Sequence, residues 1–469
     1  MSFFCKIVSA LKKPLEQYFY YFLFVFILTA IPDLIFGIYV KAIPVRHVIC
    51  GFFISYVVTL GYSCLAKYKY PGRIYSSVVF AVILAFFQCD LFSMFVCNNF
   101  FKEDMIAALV GTNYEEAVEF VSTYFSWKVI LFAVLFLVLV AVLYFALKRL
   151  FPHVSKFVVY AGIGLSLLSC PVCFVSPLFQ VGIVGKICSF FVVSTPPNFA
   201  DYYSNPDLTI DENKHPENVV MIIGESLSKY HCSLYGYDKE TNPVLTEKRD
   251  SCGLLVYKNV ESPETSTLVS IREVVSTFDH TKHPEDNWFT HVTLQEVLRL
   301  SGYKSFWISN QSKKGFRDNY VGRYSDLCDE NYFVGNKFMG MARLNTDDQL
   351  LDLMKPVMED SAGHKFYFVH MMGNHTTFSK RYTPDFSVFK AADYANLPEH
   401  QRQIISEYDN SVLFNDNVVG SILDLYKDKE AIVFYFPDHA LDLYQTTSTY
   451  FGHARGVKNH VFMEKVFRL

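Results

Sequence analysis

Long unbroken apolar runs fill roughly the first 180 residues of the chain, and from about residue 212 they give way to short apolar runs separated by polar stretches. A bilayer core of roughly 30 Å needs about 20 apolar residues in helical form. Five stretches satisfy that length: 17–40, 47–66, 74–97, 127–147 and 154–178. The run 179–193 is apolar but shorter and ends in Ser194-Thr195-Pro196-Pro197, the pattern of an interfacial helix entering a linker. The expected organisation is a five-helix transmembrane domain over 1–178, an interfacial helix and linker over 179–211, and an outer domain over 212–469. In that outer part the runs 219–223, 305–308, 366–369 and 431–436 read as buried strands with helical stretches between them. This predicts an α/β fold with a mostly parallel central sheet.

Composition sharpens the division. Hydrophobic residues make up 51% of the chain and charged ones 19%, which excludes a disordered polypeptide. Residues 1–200 carry 14 Lys+Arg against 8 Asp+Glu, whereas 201–469 carry 28 against 38. Neither part has the basic, clustered face of a nucleic-acid binder. Lys6, Lys12, Lys13, Lys67, Lys69, Arg73, Lys148, Arg149 and Lys156 fall on one side of the expected helices. The gap 98–126 holds Glu103, Asp104, Glu115, Glu116 and Glu119. The positive-inside rule then places the N-terminus in the cytoplasm, and five crossings put everything after residue 180 outside. The first run shows no small-residue cleavage pattern and reads as an uncleaved anchor. Asp33 and Asp90 lie inside or at the ends of these helices, where ionisable groups are costly. Of the 11 cysteines, only Cys232, Cys252 and Cys328 lie in the outer part. They show no CxxC metal spacing and read as free thiols.

In open parallel sheets, functional groups gather just past the carboxyl ends of strands. Those positions here are Gly224-Glu225-Ser226, Ser309-Asn310, His370 with Gly373-Asn374-His375, and Pro437-Asp438-His439. Glu225, Asp438 and His439 supply two carboxylates and an imidazole, the donors a divalent metal such as zinc takes. An Asp-His pair alone is more often a helix cap or a surface pair; the second strand-end carboxylate shifts that balance. The segment Ser262-Pro263-Glu264-Thr265-Ser266-Thr267-Leu268-Val269-Ser270 brings hydroxyls to the start of a helical run over 271–276. Free backbone N–H groups at such a start suit an anionic phosphoryl group, although ordinary capping gives the same pattern.

These residues resemble the signature of the phosphoethanolamine transferases, bacterial inner-membrane enzymes with an alkaline-phosphatase/sulfatase-like domain. The likeness runs through Gly224-Glu225-Ser226, Ser233-Leu234-Tyr235-Gly236-Tyr237, Thr241-Asn242-Pro243, Met372-Gly373-Asn374-His375, Lys380-Arg381-Tyr382, Phe436-Pro437-Asp438-His439 and Gly452-His453. It extends to Thr112-Asn113-Tyr114-Glu115-Glu116-Ala117 in the membrane part, similar to the family's T-[ND]-x-x-E-A loop. The resemblance implies a zinc held by Glu225, Asp438, His439 and the nucleophile Thr267, with one or two ions and manganese as a further option. Thr267 is preferred to Thr265 because Ser270 and Ser276 match the family's serines three and nine residues beyond the nucleophile. His375 and His453 are implied to bind or protonate the transferring group, and Ser312, Lys314 and Asn374 to contact substrate. Thr112 and Glu116 are implied to meet the donor head group. The implied reaction moves phosphoethanolamine from phosphatidylethanolamine, in membrane lipid, to a lipopolysaccharide or glucan acceptor outside the inner membrane.

Two features depart from the family pattern. The cysteines that flank the nucleophile in its lipid A-modifying members correspond to Pro263 and Glu273, which points to a cysteine-poor branch acting on lipopolysaccharide core or glucan. Only 16 residues follow His453, where the family continues through further strand and helix, so a C-terminally truncated domain is expected. The competing readings are a phosphoglycerol transferase of the lipoteichoic-acid type and an inactive, membrane-anchored protein of sulfatase fold.

Overall fold

The computed structural model describes residues 3–39, 45–96, 101, 105–106, 109, 114–125, 127–174, 186–187, 215–279, 281–282, 290–313, 320–334, 346–445, 451–453, 463–464 and 467–468. The chain divides into two units, one formed by residues 1–107 and 124–195 and the other by 108–123 and 196–469.

In the first unit the apolar runs form helices α1 (Phe3–Tyr39), α2 (Val45–Leu65), α3 (Lys69–Val96), α5 (Trp127–Leu150) and α6 (Lys156–Phe174); α4 (Tyr114–Tyr124) intervenes in sequence. Among the described residues, α1, α2, α3 and α5 are long and apolar enough to cross a membrane, while the qualifying part of α6, Lys156–Cys170, is shorter. The interior is aromatic: Tyr21 stacks on Tyr62 with ring centroids 4.2 Å apart, and Phe24 meets Phe80 and Tyr144 edge-on. Helix hydroxyls turn back to their own backbone, as when Ser55 Oγ donates to Gly51 O at 2.6 Å and Thr59 Oγ1 to Ser55 O at 2.7 Å. Such bonds let polar residues sit in an apolar helix without orphaned groups. Large apolar side chains such as Leu139, Phe145 and Leu168 point outward, as lipid-facing residues do. Asp90 on α3 is buried and bonded at both carboxylate oxygens, 2.5 and 2.6 Å, by Lys186 Nζ. Asp33 lies on α1. The rest of the run 179–193, beyond Lys186 and Ile187, falls outside the described residues.

The second unit is built on a five-stranded sheet. Its strands are β1 (Asn218–Gly224), β2 (Lys304–Ser309), β3 (Glu330–Phe333), β4 (Lys365–His370) and β5 (Ala431–Pro437), in spatial order β3-β2-β4-β1-β5 with every pair parallel. The four strands expected from apolar runs are present. The additional one, β3, is a short edge strand whose Glu330-Asn331-Tyr332-Phe333 lacks the apolar run that a doubly buried strand shows. Period-two alternation splits the core between the two faces. Val220, Ile222, Phe306, Ile308, Tyr367, Val369, Val433 and Tyr435 pack on one side. Met221, Ile223, Trp307, Phe366 and Phe368 pack on the other, against Ile271, Val275 and Leu298. Helices α7 (Pro243–Ser251), α10 (Gln349–Met358) and the 27-residue α11 (Glu399–Leu425) supply Leu245, Leu350, Met354, Tyr408, Val412 and Val419 to the first face. Helices α8 (Thr267–Val274) and α9 (Leu294–Leu300) cover the second. A short antiparallel pair, β6 (Leu441–Leu443) with β7 (Phe451–His453), follows β5. Cys328 is a buried free thiol and Cys252 an exposed one, and Cys232 is buried.

Candidate metal and nucleophile centre

Strand register alone brings the two carboxylates together. β1 and β5 are neighbours with Gly224 opposite Pro437, so Glu225 and Asp438 leave the same sheet edge side by side. The backbone locks this arrangement: Asp438 N donates to Gly224 O at 2.9 Å, and Asp438 Oδ1 accepts from Ser226 N at 3.2 Å and from His439 N at 2.7 Å. Ligand atoms of Glu225, Asp438 and His439 all lie within 4.8 Å of one another, and all three side chains are buried. His439 Nδ1 is 3.0 Å from Ala440 O; donation there leaves Nε2 facing the carboxylates, 3.1 Å from Glu225 Oε1 and 3.5 Å from Asp438 Oδ2. Asp438 Oδ2 has no hydrogen-bond partner among the described residues.

The electrostatics show a shortage of positive charge. Burial pushes the Asp438 carboxyl up, to about 8, and the charge of Glu225 adds to the effect. His439 is raised to about 10 because the pull of Asp438 and Glu225 outweighs burial, which opposes its charge. Glu225 in turn is held well below the usual carboxylate range, with His439 overcoming the same burial cost. Two buried carboxylates thus compete for a single imidazolium proton. A divalent cation on the three side chains would neutralise both carboxylates and bind the neutral imidazole, and the unbonded Asp438 oxygen is a ready ligand.

Thr267 opens α8, with Ser266 as the preceding cap residue, so the helix begins four residues before the expected run. Its hydroxyl donates to Glu225 Oε2 at 2.9 Å and lies 3.3 Å from His439 Nε2. The hydroxyl therefore sits on the carboxylate–imidazole cluster and among the amides of a helix's first turn. Of the other residues singled out in the sequence, His375 stands close enough to Glu225 for its charge to lower that carboxyl's pKa, and its Nδ1 is buried without a hydrogen-bond partner among the described residues. Asn374 is wholly buried; its amide N donates to Glu225 O at 2.9 Å and its Nδ2 to Ser411 Oγ at 2.7 Å. Ser312 is exposed. His453 ends β7, whose partner is Leu441, and Glu116 lies on α4. Lys314 and Thr112 fall outside the described residues. His370, at the end of β4, is a core imidazole: burial lowers its pKa to about 4, and Nδ1 meets Ser309 Oγ at 3.2 Å.

Two residues that the sequence did not bring forward, Gln311 and Tyr408, hold this centre. Gln311 Nε2 donates to Glu225 Oε2 at 3.1 Å and to Met371 O at 3.0 Å, orienting the same oxygen that Thr267 bonds. Tyr408, in the middle of α11, donates to Ser226 O at 2.7 Å and accepts from Ser228 N at 2.8 Å. That brace holds Ser226 at φ +58°, a left-handed conformation a serine keeps only under external constraint. Gly373, also left-handed at φ +49°, passes so near the Glu225 backbone that a Cβ would lie 2.7 Å from Glu225 O. Asp409 accepts from Tyr237 at 2.7 Å, pairs with His231 Nδ1 at 2.7 Å and accepts from Tyr394. Within the Ser233–Tyr237 and Thr241–Pro243 motifs, Thr241 Oγ1 donates to His231 O at 2.8 Å, and Ser233 Oγ accepts from Asn242 N at 2.8 Å. Asp416 caps α7 through the amides of Val244 and Leu245, 2.8 and 3.2 Å away. These motifs therefore build the scaffold behind Glu225.

Carboxylates and an imidazole at parallel strand ends, with a hydroxyl opening a helix beside them, are the arrangement of a sulfatase-type fold, and residues 217–462, just over half of the chain, match the Sulfatase family. The chain belongs to that family. It is similar to the phosphoethanolamine transferase EptC of Escherichia coli O18:K1:H7, 27% identical over 413 residues that cover 81% of this chain and 71% of that protein. It is also similar to the phosphoethanolamine transferase CptA of Salmonella typhimurium, 28% identical with the same coverage. Among solved structures it resembles the C-terminal periplasmic domain of EptC from Escherichia coli in complex with Zn, with TM-score 0.50, 26% identity, and coverage of 55% of this chain and 74% of that one. The fold of the integral membrane protein EptA from Neisseria meningitidis matches along 98% of this chain and 86% of its own, with TM-score 0.58 at 18% identity.

Proposed function

We propose that this protein transfers phosphoethanolamine from phosphatidylethanolamine to a cell-envelope glycolipid or glycan, with Thr267 as the covalent carrier. The observation that carries this reading is the Thr267 hydroxyl, 2.9 Å from Glu225 and 3.3 Å from His439 at the first turn of α8. Glu225, Asp438 and His439 would hold zinc. That ion, when bound, lowers the pKa of the neighbouring hydroxyl and offsets negative charge on the phosphoryl oxygens.

In the first step the Thr267 oxygen forms a bond to phosphorus while the bond from phosphorus to the diacylglycerol oxygen breaks. Diacylglycerol leaves with a proton, and the phosphoethanolamine stays as an ester on Thr267. In the second step an acceptor hydroxyl or phosphate attacks the same phosphorus and frees the threonine. The amides of the first turn of α8 meet the phosphoryl oxygens, and Gln311 keeps Glu225 turned toward the nucleophile. His375, with His453 as its counterpart, supplies and removes the proton on the leaving and attacking oxygens, work suited to imidazole at neutral pH. Lys314, Ser312 and Asn374 are the substrate contacts of this reading, and Thr112 with Glu116 meets the donor head group.

Donor and diacylglycerol both live in lipid, so helices long and apolar enough to cross a membrane suit the chemistry. The reading places the protein in a bacterial inner membrane with its N-terminus cytoplasmic and its catalytic unit periplasmic. Mass spectrometry of zinc-loaded protein incubated with phosphatidylethanolamine tests it: a phosphoethanolamine adduct is expected on the Thr267 peptide and is lost in Thr267→Ala. An unmodified Thr267 with modification at Thr265 instead would move the nucleophile; no adduct at all would overturn the transfer reading.

A further inference from the structure

The motif Lys380-Arg381-Tyr382 takes no part in the centre described above, yet Arg381 is 8% exposed, unusually buried for an arginine. Its guanidinium reaches three acceptors. Nε donates to His375 O at 3.2 Å, Nη2 donates to Thr376 O at 3.0 Å, and Nη2 also pairs with Glu119 Oε2. Glu119 is equally buried, at 6% exposure, and its other carboxylate oxygen lies 3.2 Å from Lys380 Nζ. Glu119 belongs to α4, in the segment 108–123 that the chain inserts between α3 and α5 and that groups with the second unit. The ion pair thus joins residues 262 positions apart, one on the helix that carries Glu116 and the other holding the loop that carries His375.

That loop needs holding. Thr377 sits at φ +63°, a genuine outlier for a β-branched side chain and one that persists only where the surroundings over-determine it. Arg381 grips the two carbonyls just before Thr377 and is itself anchored by its amide N, which donates to Phe378 O at 2.9 Å. A planar fork with donors along two edges suits this task, and lysine, a point charge, does not. With its third bond spent on Glu119, the fork is oriented by a charge from α4.

We propose that Glu119 and Arg381 are positioning residues that set the His375 loop according to the placement of α4. The role of His375 rests on the proposed transfer reaction; the coupling itself does not. Hydrogen exchange read by mass spectrometry on the full-length protein in detergent tests it, using the amides of His375, Lys380 and Arg381, which are hydrogen-bonded within the loop. Glu119→Gln is expected to raise exchange across 374–381 by about tenfold while the peptides of β1 and β4 stay unchanged. Arg381→Lys, which keeps the charge and loses the fork, is expected to do the same. The exchanged pair Glu119→Arg with Arg381→Glu restores the salt bridge but not the carbonyl grip, so protection stays low. In transfer assays Glu119→Gln should lower kcat by about tenfold with little change in KM. Unchanged exchange over 374–381 in Glu119→Gln, wild-type behaviour of Arg381→Lys, or a uniform rise that includes β1 would each overturn the proposal. The exchange result decides it whether or not the wild type transfers phosphoethanolamine.

Discussion

Each unit of this protein buries acidic side chains, and Asp90 in the helical unit and the strand-end cluster in the α/β unit solve the resulting problem in opposite ways. In the helical unit the buried acid Asp90 meets the buried cation Lys186 at both carboxylate oxygens. In the α/β unit two acids, Glu225 and Asp438, face one imidazole, and an oxygen of Asp438 has no hydrogen-bond partner among the described residues. A balanced buried pair is a structural device; a buried surplus of carboxylate is the donor set that a divalent cation would neutralise. The backbone differs in the same sense. The helices of the first unit satisfy themselves turn by turn, whereas the residues beside the second unit's centre, Ser226, Gly373 and Thr377, all occupy left-handed conformations.

The contrast breaks most visibly at the surplus. Asp438→Asn removes one charge and the free ligand oxygen, and the expected outcome is loss of bound zinc by elemental analysis and a fall in transfer on the order of 10⁴-fold, as when one member of a catalytic unit is removed. At the buried pair, Lys186→Met removes the cation bonded to both oxygens of Asp90, which should destabilise the helical unit by about 3–5 kcal/mol. Adding Asp90→Asn to that variant should recover most of the loss in thermal melts. If the double change is as damaging as the single one, the pair does more than balance charge.

His370 gives a pH test. Its pKa in the folded protein, about 4, lies below the ordinary histidine value of about 6.5. The unfolded chain therefore takes up the proton first. This residue costs nothing above about pH 6.5 and destabilises the fold increasingly as pH falls toward 4, by about 3 kcal/mol at the limit. His370→Gln should flatten the acid side of a Tm-against-pH curve while leaving the neutral side alone; parallel curves for both proteins would refute the assignment. The smallest effect is expected at Gln311, where Gln311→Ala removes an orienting bond to Glu225 and should weaken zinc binding by about 10–100-fold in chelator competition.

Much of this is legible in the amino-acid sequence. The apolar runs marked the helices, and the buried strands β1, β2, β4 and β5 announced themselves because a strand covered on both faces has no polar alternation. β3 stayed hidden because an edge strand needs no such run. The clustering of Glu225, Asp438 and His439 was readable because parallel sheets gather functional groups at strand ends, a rule of topology that acts through local sequence. Gln311 and Tyr408 were not readable: each acts on a backbone or carboxylate that sequence separates from it by 86 and 182 positions. The Ser-Leu-Tyr-Gly-Tyr run was conspicuous, but its work is to build a scaffold with Asp409.

The residue types and their order thus settled which elements form and which chemistry the strand ends carry, because periodicity and donor identity are local properties. Tertiary structure decided the rest: that Glu225 and Asp438 share one proton-hungry pocket, that Thr267 points into it, and that Arg381 is tied to Glu119. Those are facts of proximity between segments as many as 262 positions apart, and only the packing of the sheet and its helices sets them.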